Sequence, residues 1–341
     1  MIEAVIVILL LLGGILVALL WAGSGKTLHE PHGSGIIEAI PNALERDPAA
    51  SGTLAVLTYA LAYGLGEQRY GAASLEVATI YDRLDHVVET IAASGAEVAL
   101  LQEVDFASQR THDIDQLHYI AAALGWGFVA RAITWECRYL PYPVWPAGRA
   151  AGRLRAGMGV MSRYPLVQNS RQRLSQVKTV PLLASLFCPY HTVQMVDVQC
   201  GTQTIRLFNV HLDTLDVSTR QRQARELVEF IRQGETAASV LMGVFHAAVR
   251  RVSPASRAPD ASPDQAVGII LDALHVHFRA VPDDGPPAPL PHLLVGSGVR
   301  AVETRVMPVQ ESISVHAPLV VQLRWAIPLV VSNGRSHHER L

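Results

Sequence analysis

The chain has 341 residues, half of them apolar and 17% charged, with a formal net charge of −2. That length is ample for a buried core, and the near-zero charge excludes the global basic field that gathers nucleic acid. The three cysteines, Cys137, Cys188 and Cys200, lack metal-type spacing, and their odd number argues against a complete disulfide framework.

From Ala4 to Ala22 the chain reads AVIVILLLLGGILVALLWA, 19 residues without a charge. At ~1.5 Å per helical residue this run spans roughly the ~30 Å hydrocarbon layer of a bilayer. A cleaved signal peptide would want a basic start and a shorter apolar core, whereas this chain begins Met1-Ile2-Glu3 and places Trp21 at the interface end. Residues 4–22 are therefore read as an uncleaved transmembrane anchor; Lys26 alone lies close to either end, so orientation is weakly set. Gly23-Ser24-Gly25-Lys26-Thr27 mimics the end of a P-loop, but Leu20 stands where its first glycine belongs and no strand precedes it. Residues 23–52, with Pro31, Gly33, Gly35, Pro41, Pro48 and Gly52, read as a linker.

A folded domain is expected over residues 53–325, with 326–341 as a C-terminal tail. Leu54–Tyr59 reads as a buried strand, 78–94 as a helix with Leu84, Val87, Val88 and Ile91 on one face, and Glu97–Gln102 as a second strand. A helix is expected over 112–124 and a proline- and tryptophan-rich loop over Tyr139–Pro146, followed by an apolar stretch at Met158–Ser162. Thr192–Val198 and Thr204–Val210 alternate around Gly201, which signals a hairpin. Ser218 is the expected N-cap of a helix reaching about Gln233, with Leu227, Val228 and Ile231 at core spacing. Then come a strand at Ala238–Gly243, a polar loop at 250–264, a helix at Asp264–Leu274, and strands near 292–295, 299–309 and 318–325. Mixed strands, interspersed helices and hairpins together indicate a layered α+β sandwich rather than a doubly wound parallel sheet.

Four stretches in this order carry a resemblance: Leu100-Leu101-Gln102-Glu103-Val104-Asp105, Met161-Ser162-Arg163-Tyr164-Pro165-Leu166, Asn209-Val210-His211-Leu212-Asp213 and Ser314-Val315-His316-Ala317-Pro318-Leu319. Leu241-Met242-Gly243 and Leu293-Leu294-Val295-Gly296 fall between them. Together they resemble the endonuclease/exonuclease/phosphatase superfamily of DNase I-like, metal-dependent phosphoesterases. The resemblance implies a four-layer α/β/β/α sandwich with a site at one end of two packed sheets. It also implies Mg²⁺ held by a glutamate, a histidine steered by an aspartate, and an Asp-x-Asn pair with a further Asn stabilising charge on phosphorus.

Carried across, Glu103 matches the metal glutamate with Gln102 beside it, and His211 and His316 match two active-site histidines. Ala60 stands where the family carries Asn. Val244 and His246 stand where it carries Asp and Asn, Pro291 falls on the aspartate that steers a histidine, and Val315 replaces the acid before His316. These side chains cannot supply a hard cation with oxygen, so the expected protein is a degenerate, catalytically impaired member that acts by binding. No cofactor is expected in that case; Mg²⁺ or another divalent cation belongs to the alternative, an active phosphodiesterase or phosphatase. There Glu103, His211, His316 and His246 would rebuild a site for a softer metal such as Zn²⁺. Asp213 is expected in a capping or turn role, and Arg149, Arg153 and Arg155 as solvated loop residues. The expected partners are the bilayer, through residues 4–22, and a phosphorylated ligand rather than nucleic acid. Single-helix tethers in this superfamily often face outward, which places the domain on the extracytoplasmic side.

Overall fold

The computed structural model describes residues 2–25, 32–41, 52–66, 75–143, 150–177, 180–213, 216–234, 236, 238–245, 266–274, 278–280, 292–308, 313–314 and 316–325. Its first element, α1 (Ile2–Gly23), is apolar on every face and exposed along its length, with burial only at Ala22 and Gly23, where it meets the domain. A helix with no polar stripe has no stable place on the surface of a soluble domain, and this one is long and apolar enough to cross a membrane.

Two sheets follow. The strands are β1 (His32–Ser34), β2 (Ile36–Ala39), β3 (Thr53–Ala60), β4 (Val98–Asp105), β5 (Phe128–Leu140), β6 (Gly152–Ser162), β7 (Leu166–Arg173), β8 (Thr192–Cys200), β9 (Gln203–His211), β10 (Ser239–Val244), β11 (Phe278–Ala280), β12 (His292–Gly296), β13 (Val299–Val306) and β14 (Leu319–Trp325). Among the described residues one sheet runs β13-β14-β3-β4-β6-β5-β2 and the other β1-β7-β8-β9-β10-β12-β11. The helices are α2 (Val77–Ser94), α3 (Gln116–Ala123), a short α4 (Leu182–Ser185), α5 (Val217–Gly234) and α6 (Ala266–Leu274).

Side-chain periodicity sorts these elements into four layers. In α2, Ile80, Leu84, Val87 and Ile91 recur at helical spacing and pack with Leu57, Tyr59, Ala99 and Leu101 on one face of the first sheet. The opposite face of the same strands presents Val56, Val98 and Leu100 to Val196, Leu207, Val240 and Met242 of the second sheet. Beyond that sheet, Phe208, Val210 and Leu241 meet Leu227 and Ile231 of α5 and Ile270 of α6. Strands covered on both faces read as unbroken apolar runs, which is why β3 and β4 stand out in the sequence. The α/β/β/α arrangement is the one expected.

Three local expectations change. The segment expected to be a linker enters the fold: β1 pairs with β7 at the edge of one sheet and β2 with β5 at the edge of the other. Gly35 lies between them because a Cβ there would stand 2.1 Å from Asn169 Nδ2 and 2.6 Å from the Arg131 carbonyl. The helix expected over 112–124 starts only at Gln116: α3 follows a 3-10 turn at Gln109–Thr111, and Asp115 caps its first turn by accepting from the His118 amide at 2.9 Å. The cap of α5 is Asp216 rather than Ser218: Asp216 Oδ2 accepts from the Thr219 amide and from Ser218 Oγ, both at 2.8 Å. An ionised acceptor at the helix N-terminus satisfies an orphan amide and the dipole together, and the hydroxyl then serves the cap instead of being it.

Candidate active site

Two parallel strand pairs define the site. β3 lies beside β4 in one sheet and β9 beside β10 in the other, so their carboxyl ends gather on one side. Crevices at such ends are where ligands commonly bind. Ala60 ends β3, Glu103 lies near the end of β4, and His211 and Val244 end β9 and β10 in register with each other.

Glu103 is aimed by a backbone irregularity. The pairing of β4 with β6 shifts register between Leu101 and Val104, and inside that bulge Glu103 adopts φ 53°. A non-glycine residue in the left-handed region costs on the order of 1–3 kcal/mol and persists only where its surroundings enforce it. Tyr63, at φ 58° in the turn after β3, is strained in the same way and lines the same cavity. Arg110 lies behind them, fully buried. It donates to both Asp105 oxygens at 2.9 Å and stacks 4.1 Å from the Tyr63 ring and 4.8 Å from Trp135. Burial works against its charge, but the Asp105 carboxylate outweighs it, Glu103 adds to the field, and the guanidinium is held above its usual range.

On the other wall, His191 Nε2 lies 3.1 Å from Asp213 Oδ2 and Nδ1 lies 3.2 Å from the His211 carbonyl oxygen. Both the carbonyl and the carboxylate accept, so the ring proton or protons of His191 are shared between these two contacts according to its tautomer. The His191 and His211 rings meet edge to face at 6.0 Å. Asp213 also keeps the turn role expected of it, accepting from the Asp216 amide at 2.7 Å.

These groups share one cavity of about 220 Å³, lined by Glu103, His211, His191, Asp213, Tyr63 and Tyr190, with Thr134, Met158, Val180, Ser185 and Cys188 among the rest of its walls. Of the residues singled out from sequence, Glu103 and His211 thus come together. His316 is buried and accepts no place in the cavity wall; its amide donates to Ser314 Oγ at 3.0 Å. His246, Pro291, Val315 and Arg149 lie outside the described residues. Arg153 pairs with Asp113 at 2.9 Å and Arg155 with Glu136 at 3.7 Å, and neither lines the cavity. His191 carried no motif. The hairpin register, which sets Thr192 opposite His211, is the signal that places it beside the site.

The Mg²⁺ that the resemblance implies does not fit the described donors. Ala60 is 1% and Val244 2% exposed, so methyl groups fill two strand ends where the resemblance implies an amide and an acid. Among the described residues no three His, Cys, Asp or Glu side chains are placed to hold an ion, whereas Mg²⁺ demands near-octahedral oxygen coordination.

A model of the Endonuclease/Exonuclease/phosphatase family matches residues 77–243. No curated protein matches the chain. Among solved structures, an endonuclease/exonuclease/phosphatase from Beutenbergia cavernae superposes with a TM-score of 0.59 at 18% identity, covering 80% of this chain and 72% of that one. The catalytic domain of human Nocturnin, solved with a bound sulfate anion, gives 0.52 at 15% identity over 86% of this chain and 97% of that one. A Bacteroides vulgatus endonuclease/exonuclease/phosphatase gives 0.51 at 13% identity, over 80% and 99%. Those structural likenesses carry the fold and the family model carries the sequence, and the two agree: residues 77–243 belong to the endonuclease/exonuclease/phosphatase family, within a fold shared with these structures.

Proposed function

We propose that this chain is a membrane-anchored, catalytically impaired domain of its family that binds a phosphoester in the cavity without efficient turnover. The observation that carries the reading is the pair of buried aliphatic side chains, Ala60 and Val244, flanking Glu103 and His211 at the strand ends. Family enzymes typically use divalent metals, and loss of one preorganised electrostatic group commonly costs ~10²–10³ in rate. Losses within one constellation act as a unit, so their costs need not multiply. Glu103, His211 and the His191–Asp213 pair remain as hydrogen-bonding groups for a ligand. The α1 helix supplies the anchor, with the domain on the extracytoplasmic side.

Bis-p-nitrophenyl phosphate hydrolysis by the pure full chain, with Mg²⁺ or Mn²⁺, tests the proposal. The expected rate is indistinguishable from that of Glu103→Ala. Robust turnover abolished by that substitution would overturn it.

A further inference from the structure

The cavity and the membrane helix share a wall. Ser185 and Cys188, in and just after α4, line the cavity, while Leu186 between them packs on the end of α1: a Cβ added at Gly23 would stand 2.8 Å from Leu186 Cβ. On β5, Thr134 lines the same cavity, and four residues on, Arg138 stacks 5.5 Å from the ring of Trp21. At ~3.3 Å per strand residue, Thr134 in the cavity wall and Arg138 beside Trp21 are roughly 13 Å apart along β5. Beyond Arg138 come Tyr139, 41% exposed, and Tyr142, 52% exposed. Tryptophan, tyrosine and arginine are the side chains that settle at the headgroup level of a bilayer.

We infer that the cavity receives the headgroup of a zwitterionic phospholipid, bearing a phosphate and a primary ammonium, drawn from the bilayer that α1 occupies. This rests on the phosphoester-binding reading and adds the source and class of the ligand. At about 220 Å³ the cavity is below the ~300–1,000 Å³ of typical ligand sites, so it takes a headgroup and leaves the chains outside. Its wall carries two carboxylates, Glu103 and Asp213, beside the His211 and His191 imidazoles. A purely anionic ligand would meet these carboxylates, whereas a headgroup with both signs meets Glu103 with its ammonium and offers phosphate oxygens to the His211 ring and the Thr134 hydroxyl. The α4 partition then lets a lipid reach the site without leaving the membrane surface.

Cys188 reports on occupancy, because it lines the cavity while Cys137 and Cys200 are buried. The full chain is placed in phosphatidylcholine nanodiscs, alone, with added phosphatidylethanolamine, or with soluble glycerophosphoethanolamine, and maleimide labelling of Cys188 is followed by peptide mass spectrometry. Near-saturation by phosphatidylethanolamine slows labelling about tenfold. The soluble headgroup has no effect, and His211→Leu removes the protection. Equal protection by the soluble headgroup would overturn the bilayer source while leaving phosphoester binding intact. Protection in neither arm would overturn both.

Discussion

Gln102 Nε2 lies 2.6 Å from the Asn209 side-chain oxygen, a hydrogen bond between the two sheets, one residue before Glu103 and two before His211. It belongs to a buried relay. Gln102 also donates to Thr58 Oγ1 at 2.9 Å, Asn209 donates to Gln194 Oε1 at 3.3 Å, and Gln194 to Asn169 Oδ1 at 3.0 Å. Buried amides of this kind are costly when unpaired, so the relay fixes how one sheet lies on the other and thereby the spacing of the two site walls.

Cutting that relay should therefore be expensive. Asn209→Ala removes one acceptor of the Gln102 amide and the donor that Gln194 Oε1 accepts from, and an unmet buried polar group costs about 1–3 kcal/mol. Urea unfolding of Asn209→Ala, Gln102→Ala and the double variant should show a positive coupling between the two positions.

The strained backbone at Glu103 predicts an ordering of variants. Glycine adopts φ 53° without penalty and alanine does not, so Glu103→Gly should be the more stable of the two by about 1 kcal/mol. Equal denaturation midpoints would remove the strain from the account.

The Asp216 cap predicts an acid-sensitive helix. Hydrogen bonds from Thr219 and Ser218 hold its carboxyl below the ordinary value. A depressed folded value means the contribution is complete above the unfolded value, near pH ~4, and is lost as pH falls through the folded one. Asp216→Asn still caps but does not titrate there. Its Tm should fall less than that of the wild type between neutral and strongly acidic pH, as read by circular dichroism.

Thiol reactivity should separate the three cysteines. Burial pushes the Cys137 thiol up to about 11 and Cys200 up to about 12. Native alkylation at mildly alkaline pH should modify Cys188 alone, with the other two reacting only after unfolding.

The layers were legible because strands covered on both faces, such as Leu54–Tyr59 and Val98–Leu101, leave apolar runs, and because α2 and α5 carry clean stripes. β7 was not legible. Its inward positions include Asn169 and Arg171, which donate to the Arg131 carbonyl at 3.0 Å and the Ile133 carbonyl at 3.3 Å, so hydrogen bonding replaces the apolar alternation that marks a strand. The edge strands β1 and β2 were hidden by glycine and proline spacing that also suits a tether. At the site, Glu103 and His211 could be read because short motifs surround them, whereas His191 enters through strand register and Tyr63 through a turn of unusual backbone.

On the proposed reading, Ala60 and Val244 disable a metal site that the rest of the framework would still support. Thermal unfolding of the full chain across a Mg²⁺ titration, beside the Ala60→Asn/Val244→Asp double variant, tests it most directly. The account predicts no metal-dependent shift in the wild type and a saturable rise in Tm in the double variant. A saturable rise in the wild type, lost in Glu103→Ala, would contradict it.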